Sequence, residues 1–449
     1  MEAAKKIDIG AVIDNSKVGA FQVWVYLLCA ACLIMDGYDV QALGYAAPAI
    51  IREWHPNPAE MGRVLSAALV GIAVGSLLFS MLADKIGRRP VLIIATLFFS
   101  FITIVTGFAN SVNQLLAIRF IAGVGLGGIM PNAMTLVGEY SPQRLRVFMM
   151  MLVSNGFNAG AVLGGFFSAW LIPVSGWRSV FFVGGAIPLA ITFLMVLYLP
   201  ESLQFLTLRR KTEKVGKWLR RIDSTIPATA NYVVKEQSTK GAPIVHLFRD
   251  GRAVGTLLLW VINFTNLLNL YFLASWLPTV ITNAGYSIRS AALVGTTLQI
   301  GGTVGTLALG WLIGRFGFIP VLGTSFAFGC ISIALIGQPA ATLTFLFLLV
   351  FAAGLTIVGG QGAVNTLAGT YYPTNLRSTG IGSGLGIGRL GAILGPNIAG
   401  ILLNRGWAAR ELFYAAAVPA FITVVVIISL HWVMKPQRAE VSKSEVMAH

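Results

Sequence analysis

Apolar stretches of about twenty residues or more recur twelve times along these 449 residues, at approximately 22–51, 61–82, 91–110, 113–138, 147–171, 177–199, 253–282, 291–313, 319–337, 343–370, 382–403 and 412–434. A helix rising about 1.5 Å per residue needs about twenty residues to cross a hydrocarbon core roughly 30 Å thick. Lipid offers no partner to backbone N–H and C=O groups, so segments of this kind must satisfy them internally, as helices do. The pattern predicts an all-α polytopic membrane protein with twelve transmembrane helices. Charged residues make up 11% of the chain, against roughly a quarter in soluble domains. The net charge of +15 does not point to nucleic acid, because the basic residues fall between the apolar segments. Residues 1–20 contain Asp8 and Asp14 and no early apolar run, which suits a cytoplasmic tail and not a cleaved signal peptide.

Connections between the stretches are short except for 200–252. That polar segment divides the chain into an N-terminal tail and six-helix bundle (1–199), a cytoplasmic central loop (200–252), and a C-terminal six-helix bundle and tail (253–449). With twelve spans both termini share one side, and the distribution of Lys and Arg decides which. Cytoplasmic termini put 24 of the 32 basic residues inside and six outside; Arg119 and Arg389 remain within spans. The two halves also echo each other. The second span ends in Gly75 … Asp84-Lys85-Ile86-Gly87-Arg88-Arg89 and the eighth in Gly305 … Gly314-Arg315-Phe316-Gly317. Internal repeats of this kind build transporters around a centrally placed, alternately exposed site.

Acids inside the spans are few enough to single out. An acid at the centre of a spanning helix costs about 2.5–3.5 kcal/mol on insertion scales, yet Asp36 and Asp39 sit three residues apart in the first span. That spacing puts both on one helical face, where a water-filled cavity would let them hold a proton, an ion or a substrate; their titration would belong to the pair. After Asp250 no acid occurs until Glu411, so a proton-driven mechanism has Asp36 or Asp39 as its carrier. Arg119, just before a glycine-rich run from Gly123 to Pro131, needs a buried partner: Asp36, Asp39 and a substrate carboxylate are all candidates. Arg389, within Gly388-Arg389-Leu390-Gly391, is the only charge inside the second-half spans, and its planar fork suits a carboxylate. Tyr38, Asn263, Asn266, Gln299 and Asn365 complete the candidate substrate-binding set, although polar residues also join helices.

Asp84, Arg88 and Arg89 at the end of the second span form a candidate gate, with Asp84 able to pair with Arg88. Glu139 and Arg144 (or Arg146) form a second candidate latch at the end of the fourth. No nucleophile–base set, metal-ligand cluster or cofactor motif is visible, so an enzyme is not expected. Gly123-Val124-Gly125-Leu126-Gly127-Gly128 lies inside an apolar span with no preceding strand and is not a dinucleotide loop. Cys29 and Cys32 are expected to be packing residues.

Ala83-Asp84-Lys85-Ile86-Gly87-Arg88-Arg89 resembles the loop signature of the major facilitator superfamily, with Ser80 where that family usually has glycine. Within it, Asp36-Gly37-Tyr38-Asp39 resembles the paired-aspartate first span of the aromatic acid:proton symporters, particularly the bacterial 4-hydroxybenzoate/protocatechuate transporters. Arg119 to Asn132, Leu199-Pro200-Glu201-Ser202, Ser275-Trp276-Leu277-Pro278 and Gly386 to Gly395 are also similar to its members. The resemblance implies the major facilitator fold and bacterial inner-membrane import of hydroxylated benzoates for aromatic catabolism. It implies the proton as coupling ion, no cofactor, and a monomer in the bilayer whose partners are a small aromatic carboxylate and a proton. Arg389 would hold the carboxylate, and the aspartates would couple protonation to movement. An uncoupled facilitator, or a symporter for vanillate, gallate, benzoate or an aryl-propionate, is the competing expectation.

Overall fold

The computed structural model describes residues 6–226, 230–233, 244–338, 342–373 and 375–446. Residues 1–5, 227–229, 234–243 and 447–449, parts of the expected tails and central loop, lie outside the described residues. Among the described residues twelve helices are long and apolar enough to cross a membrane: Ala20–Trp54, Pro58–Ile86, Arg88–Thr106, Val112–Tyr140, Gln143–Ser175, Arg178–Tyr198, Ala253–Asn283, Ile288–Phe316, Phe318–Ile336, Leu343–Tyr371, Arg377–Asn404 and Ala409–Val433. They coincide with the twelve predicted spans and extend most of them by a few residues. The first, 35 residues long, measures roughly 52 Å at 1.5 Å per residue, so it outruns the hydrocarbon core.

Burial is distributed as lipid demands. Large apolar side chains face outward, Phe193 at 66% exposure and Leu307 at 68% among them, while Thr96, Ser100, Thr103 and Thr106 of the third span are fully buried. A water-soluble protein does not expose apolar surface so freely. Small residues set the helix–helix distances. A Cβ on Gly75 would run into the Val124 backbone, and one on Gly305 into the Leu355 backbone. The same contact thus ties the second span to the fourth and the eighth to the tenth. The turns that follow match as well, with φ +107° at Gly87 and +84° at Gly317, a region that glycine enters without steric cost. The repeat read from the sequence is therefore a repeat of packing and turn geometry.

Among the described residues three spans depart from regular helix, the fifth only at Asn155, between Gln143–Ser154 and Gly156–Ser175. The fourth changes from Val112–Leu126 to Ile129–Tyr140 at Gly127-Gly128, where Asn132 Nδ2 donates to the Gly128 carbonyl at 2.7 Å. The tenth contains one π-helical turn, Gly354–Val358. Such turns often mark functional sites.

By compactness the chain forms two units: Met1–Ala42, Ala67–Phe167 and Val174–Ser238 in the first, and Leu43–Ser66, Ser168–Pro173 and Thr239–His449 in the second. In the first unit a short parallel ladder joins Lys6–Asp8 of the tail to Asn231–Val233 of the central segment. The second unit takes in the end of the first span and the start of the second. There Asn397 Nδ2 donates to Ser66 Oγ at 2.7 Å, and Cβ atoms on Gly62 and Gly400 would each crowd the other's helix. Its central seam joins the seventh and eleventh spans. Gly388 lies against Asn263 and Leu267, Gly391 against Phe264, and Gly395 against Leu268, while Trp276 Nε1 donates to the Pro396 carbonyl at 2.9 Å.

Candidate functional site

In the first unit Asp39 and Arg119 meet with no solvent exposure for either. Arg119 Nη2 donates to Asp39 Oδ2 at 2.6 Å and Nη1 donates to Oδ1 at 3.2 Å, a fork that lysine has no geometry to supply. The same Nη2 reaches the Asp39 carbonyl at 3.3 Å. Thr103 Oγ1 of the third span donates to Asp39 Oδ1 at 2.9 Å, and the guanidinium carbon lies 5.5 Å from the centre of the Phe181 ring. Opposite charges at this depth are tolerated because each compensates the other. A proton on Asp39 would cancel the attraction and leave a buried guanidinium uncompensated.

Asp36, 5% exposed, lies one turn earlier on the same helix. The glycine beside it allows a close helix crossing. A Cβ on Gly37 would collide with the Phe157 carbonyl, and one on Gly160 with the Ile34 carbonyl. The first and fifth spans thus touch backbone to backbone at the level of the aspartates. Tyr38 was expected to offer its hydroxyl to the substrate. It is 2% exposed and donates that hydroxyl to the Val180 carbonyl at 2.9 Å, so its polar end joins the first span to the sixth. Arg119 is likewise engaged by Asp39. Cys32 Sγ contacts Met195 Sδ at 3.2 Å, a packing contact.

The second unit brings together three of the predicted amides around a fourth residue, Gln361, that was not among the expected site residues. Gln361 Oε1 accepts from Asn266 Nδ2 at 2.7 Å, while Gln361 Nε2 donates to Asn263 Oδ1 at 3.1 Å and to Asn365 Oδ1 at 3.3 Å. Asn266 Nδ2 also donates to the Ile357 carbonyl at 3.2 Å, within the π-helical turn. Gln299 is buried on the eighth span and takes no part in this array. Arg389 is exposed on the eleventh span, one residue past the Gly388 contact with Asn263. Asn269, also on the seventh span, serves packing: with its amide oriented to satisfy both groups, it donates to the Ala416 carbonyl at 2.7 Å and accepts from Ala420 N at 3.0 Å.

At the end of the second span Arg88 Nη1 meets Asp84 Oδ1 at 2.7 Å, with 72% of the Asp84 side chain exposed. An exposed i,i+4 pair contributes only about 0.3–0.5 kcal/mol. A stronger fastening comes from Glu201, whose Oε1 accepts from the backbone N–H groups of Arg88 at 2.9 Å, Arg89 at 3.0 Å and Ser202 at 2.7 Å. The carboxylate thereby caps the positive end of the third span, and Gly87 leaves the room it needs. Arg89 Nη2 donates to the Val196 carbonyl at 2.6 Å. The expected pairing of Glu139 with Arg144 or Arg146 is replaced by other partners. Glu139 accepts from Ser202 Oγ at 2.7 and 2.9 Å, and Arg144 donates to the tail carbonyls of Asp14 at 3.3 Å and Ser16 at 2.8 Å. Both partners lie on distant segments, the central segment and the tail.

Thr103, Glu201 and Gln361 are the residues missed as site members. Thr103 had a legible signal, the polar stripe Ser100, Thr103, Thr106 in an otherwise apolar helix. Glu201 stood in the Leu199-Pro200-Glu201-Ser202 motif without a role. Gln361 had only its position one turn before Asn365.

The family model described as Major Facilitator Superfamily matches residues 29–383 and 259–447. The chain is 39% identical over 428 residues to the 4-hydroxybenzoate transporter PcaK of Pseudomonas putida, covering 94% of this chain and 96% of that protein. It is 38% identical over 425 residues to a gallate transporter of Pseudomonas putida, covering 94% and 95% respectively. Among solved structures, a partially occluded inward-open form of the xylose transporter XylE from E. coli matches with a TM-score of 0.72. That match is at 16% identity and covers 92% of this chain and 98% of that one. It shows a shared fold.

Proposed function

The chain belongs to the major facilitator superfamily and is a multi-pass membrane transporter, and from this we propose that it imports aromatic carboxylates, 4-hydroxybenzoate or protocatechuate, together with protons by alternating access. The observation that carries the coupling is the fully buried Asp39–Arg119 fork. Protonation of Asp39 releases Arg119, and loss of the proton restores the pair. The first unit then has two conformational preferences that the proton gradient selects between. Asp36, one turn away on the same face, shares the proton's path. Arg389, one residue from the central seam of the second unit, takes the carboxylate through its planar fork. The aromatic substrate class is supported by the substrates for which the relatives are named, 4-hydroxybenzoate and gallate. The gallate relative also supports a trihydroxylated acid as a second substrate.

In this reading both termini and the 200–252 segment face the cytoplasm of a bacterial inner membrane, as the bias of basic residues requires. Glu201 holds that segment to the 84–89 loop, Glu139 holds it to the end of the fourth span, and Arg144 holds the tail. Uptake into reconstituted vesicles tests the proposal, with a panel of labelled aromatic acids and an imposed proton gradient. Concentrative uptake of hydroxybenzoates that collapses when an ionophore dissipates the gradient is the expected outcome. Equilibration of the same acids at one rate with and without the gradient would mean uncoupled facilitation instead.

A further inference from the structure

The amide array of the second unit has a fixed polarity. Backbone carbonyls only accept, so the Leu259 carbonyl, 3.0 Å from Asn263 Nδ2, and the Ile357 carbonyl orient the two asparagines with their NH2 groups inward to the backbone. Gln361 must then present Oε1 to Asn266 and its NH2 to Asn263 and Asn365. Two atoms of the array have no partner. Asn266 Oδ1 is buried and accepts no hydrogen bond, and Asn365 Nδ2 donates to no protein acceptor among the described residues. A buried acceptor left without a donor is uncommon enough to call for a reason. Ile357, whose carbonyl holds Asn266, lies in the π-helical turn, and such turns often mark functional sites.

The unpartnered atoms, one acceptor oxygen and one donor nitrogen, suit a hydroxyl, which both donates and accepts. An ionised carboxylate, which only accepts, would leave Asn266 Oδ1 unpaired. We infer that Asn263, Asn266, Gln361 and Asn365 form the subsite for the substrate's ring hydroxyl, with Asn266 Oδ1 accepting its proton and Asn365 Nδ2 donating to its oxygen; the inference rests on the functional reading above. Gln361 and Asn365 are half-buried and form the array's accessible side, from which the hydroxyl approaches. Gly388 against Asn263 sets Arg389 at the level of Asn263 along the seventh span. Asn266 lies about 4.5 Å farther along that axis, a separation that one aromatic ring with groups at opposite ends can bridge. The array then selects hydroxylated benzoates over benzoate, since a site built to bond a hydroxyl rejects the analogue that lacks it.

Calorimetric titration of purified protein with 4-hydroxybenzoate and with benzoate tests this. The native protein is expected to bind the hydroxylated acid at least roughly tenfold more tightly, and Asn266→Leu to bring the ratio of the two Kd values close to one. Asn365→Ala, at a half-buried position that disturbs the fold less, should narrow the ratio in the same direction. Native discrimination that survives both substitutions, or its absence from the native protein, overturns the subsite while leaving aromatic-acid transport standing. Native protein that binds neither acid overturns the functional reading, and the subsite falls with it.

Discussion

Asp39 and Arg119 illustrate how a single pair of residues can be both a structural liability and a device. Removing one partner leaves a charge buried without compensation, at a cost of about 3–5 kcal/mol. Asp39→Asn should therefore lower the thermal unfolding temperature of the purified protein sharply, and adding Arg119→Gln should recover most of the loss. A double variant no more stable than Asp39→Asn would show that the two side chains are not energetically coupled. Gly37 is a separate case at the same scale. Its Cβ would strike the Phe157 carbonyl, so Gly37→Ala should cost about 1–3 kcal/mol by overpacking, read as a lower unfolding midpoint. What the sequence disclosed at this scale was residue type and helical phase. The pairing of Asp39 with Arg119 was one of three options for Arg119, and only tertiary placement of the fourth span selects it. Tyr38 could not be assigned from sequence because its acceptor, a backbone carbonyl of the sixth span, leaves no trace in residue type.

Among the elements, the loop between the second and third spans owes its geometry to a residue more than a hundred positions away. Glu201 accepts three backbone N–H groups, and charge-assisted bonds of this kind contribute about 1.5–3 kcal/mol each. The Asp84–Arg88 pair stands in solvent. Glu201→Ala should consequently destabilise the protein by several times the effect of Asp84→Asn, which should stay within about 0.5 kcal/mol. Denaturant midpoints in the opposite order would contradict this division. The spans themselves were legible almost to their ends, because twenty apolar residues in lipid have only one backbone solution. The repeat was legible through glycine spacing, which the Gly75 and Gly305 contacts turn into helix packing. The π-helical turn of the tenth span was not legible: Gly354-Leu355-Thr356-Ile357-Val358 carries no signature distinguishing it from a regular turn. Glu139 and Arg144 could be placed at a helix end from sequence, but their partners come from segments that fold back from the tail and from residue 202.

At the scale of the whole molecule, the chain divides its chemistry by half. Buried carboxylates within the spans belong to the first half, Glu411 standing exposed in the first turn of the twelfth helix, and the second half offers Arg389 and neutral amides. In the proposed mechanism protons and organic anions are thus given different residues, and coupling runs through conformational change and not through one shared group. The most direct test of that account compares native protein and Asp39→Asn, each recovered as a folded monodisperse fraction and reconstituted in vesicles. Labelled 4-hydroxybenzoate is followed in two modes: accumulation driven by an imposed pH gradient, and exchange against internal unlabelled acid with no gradient. The account predicts that Asp39→Asn loses gradient-driven accumulation and retains exchange, because the binding residues of the second half are intact and only the proton's effect is gone. Accumulation by Asp39→Asn at the native level would contradict it.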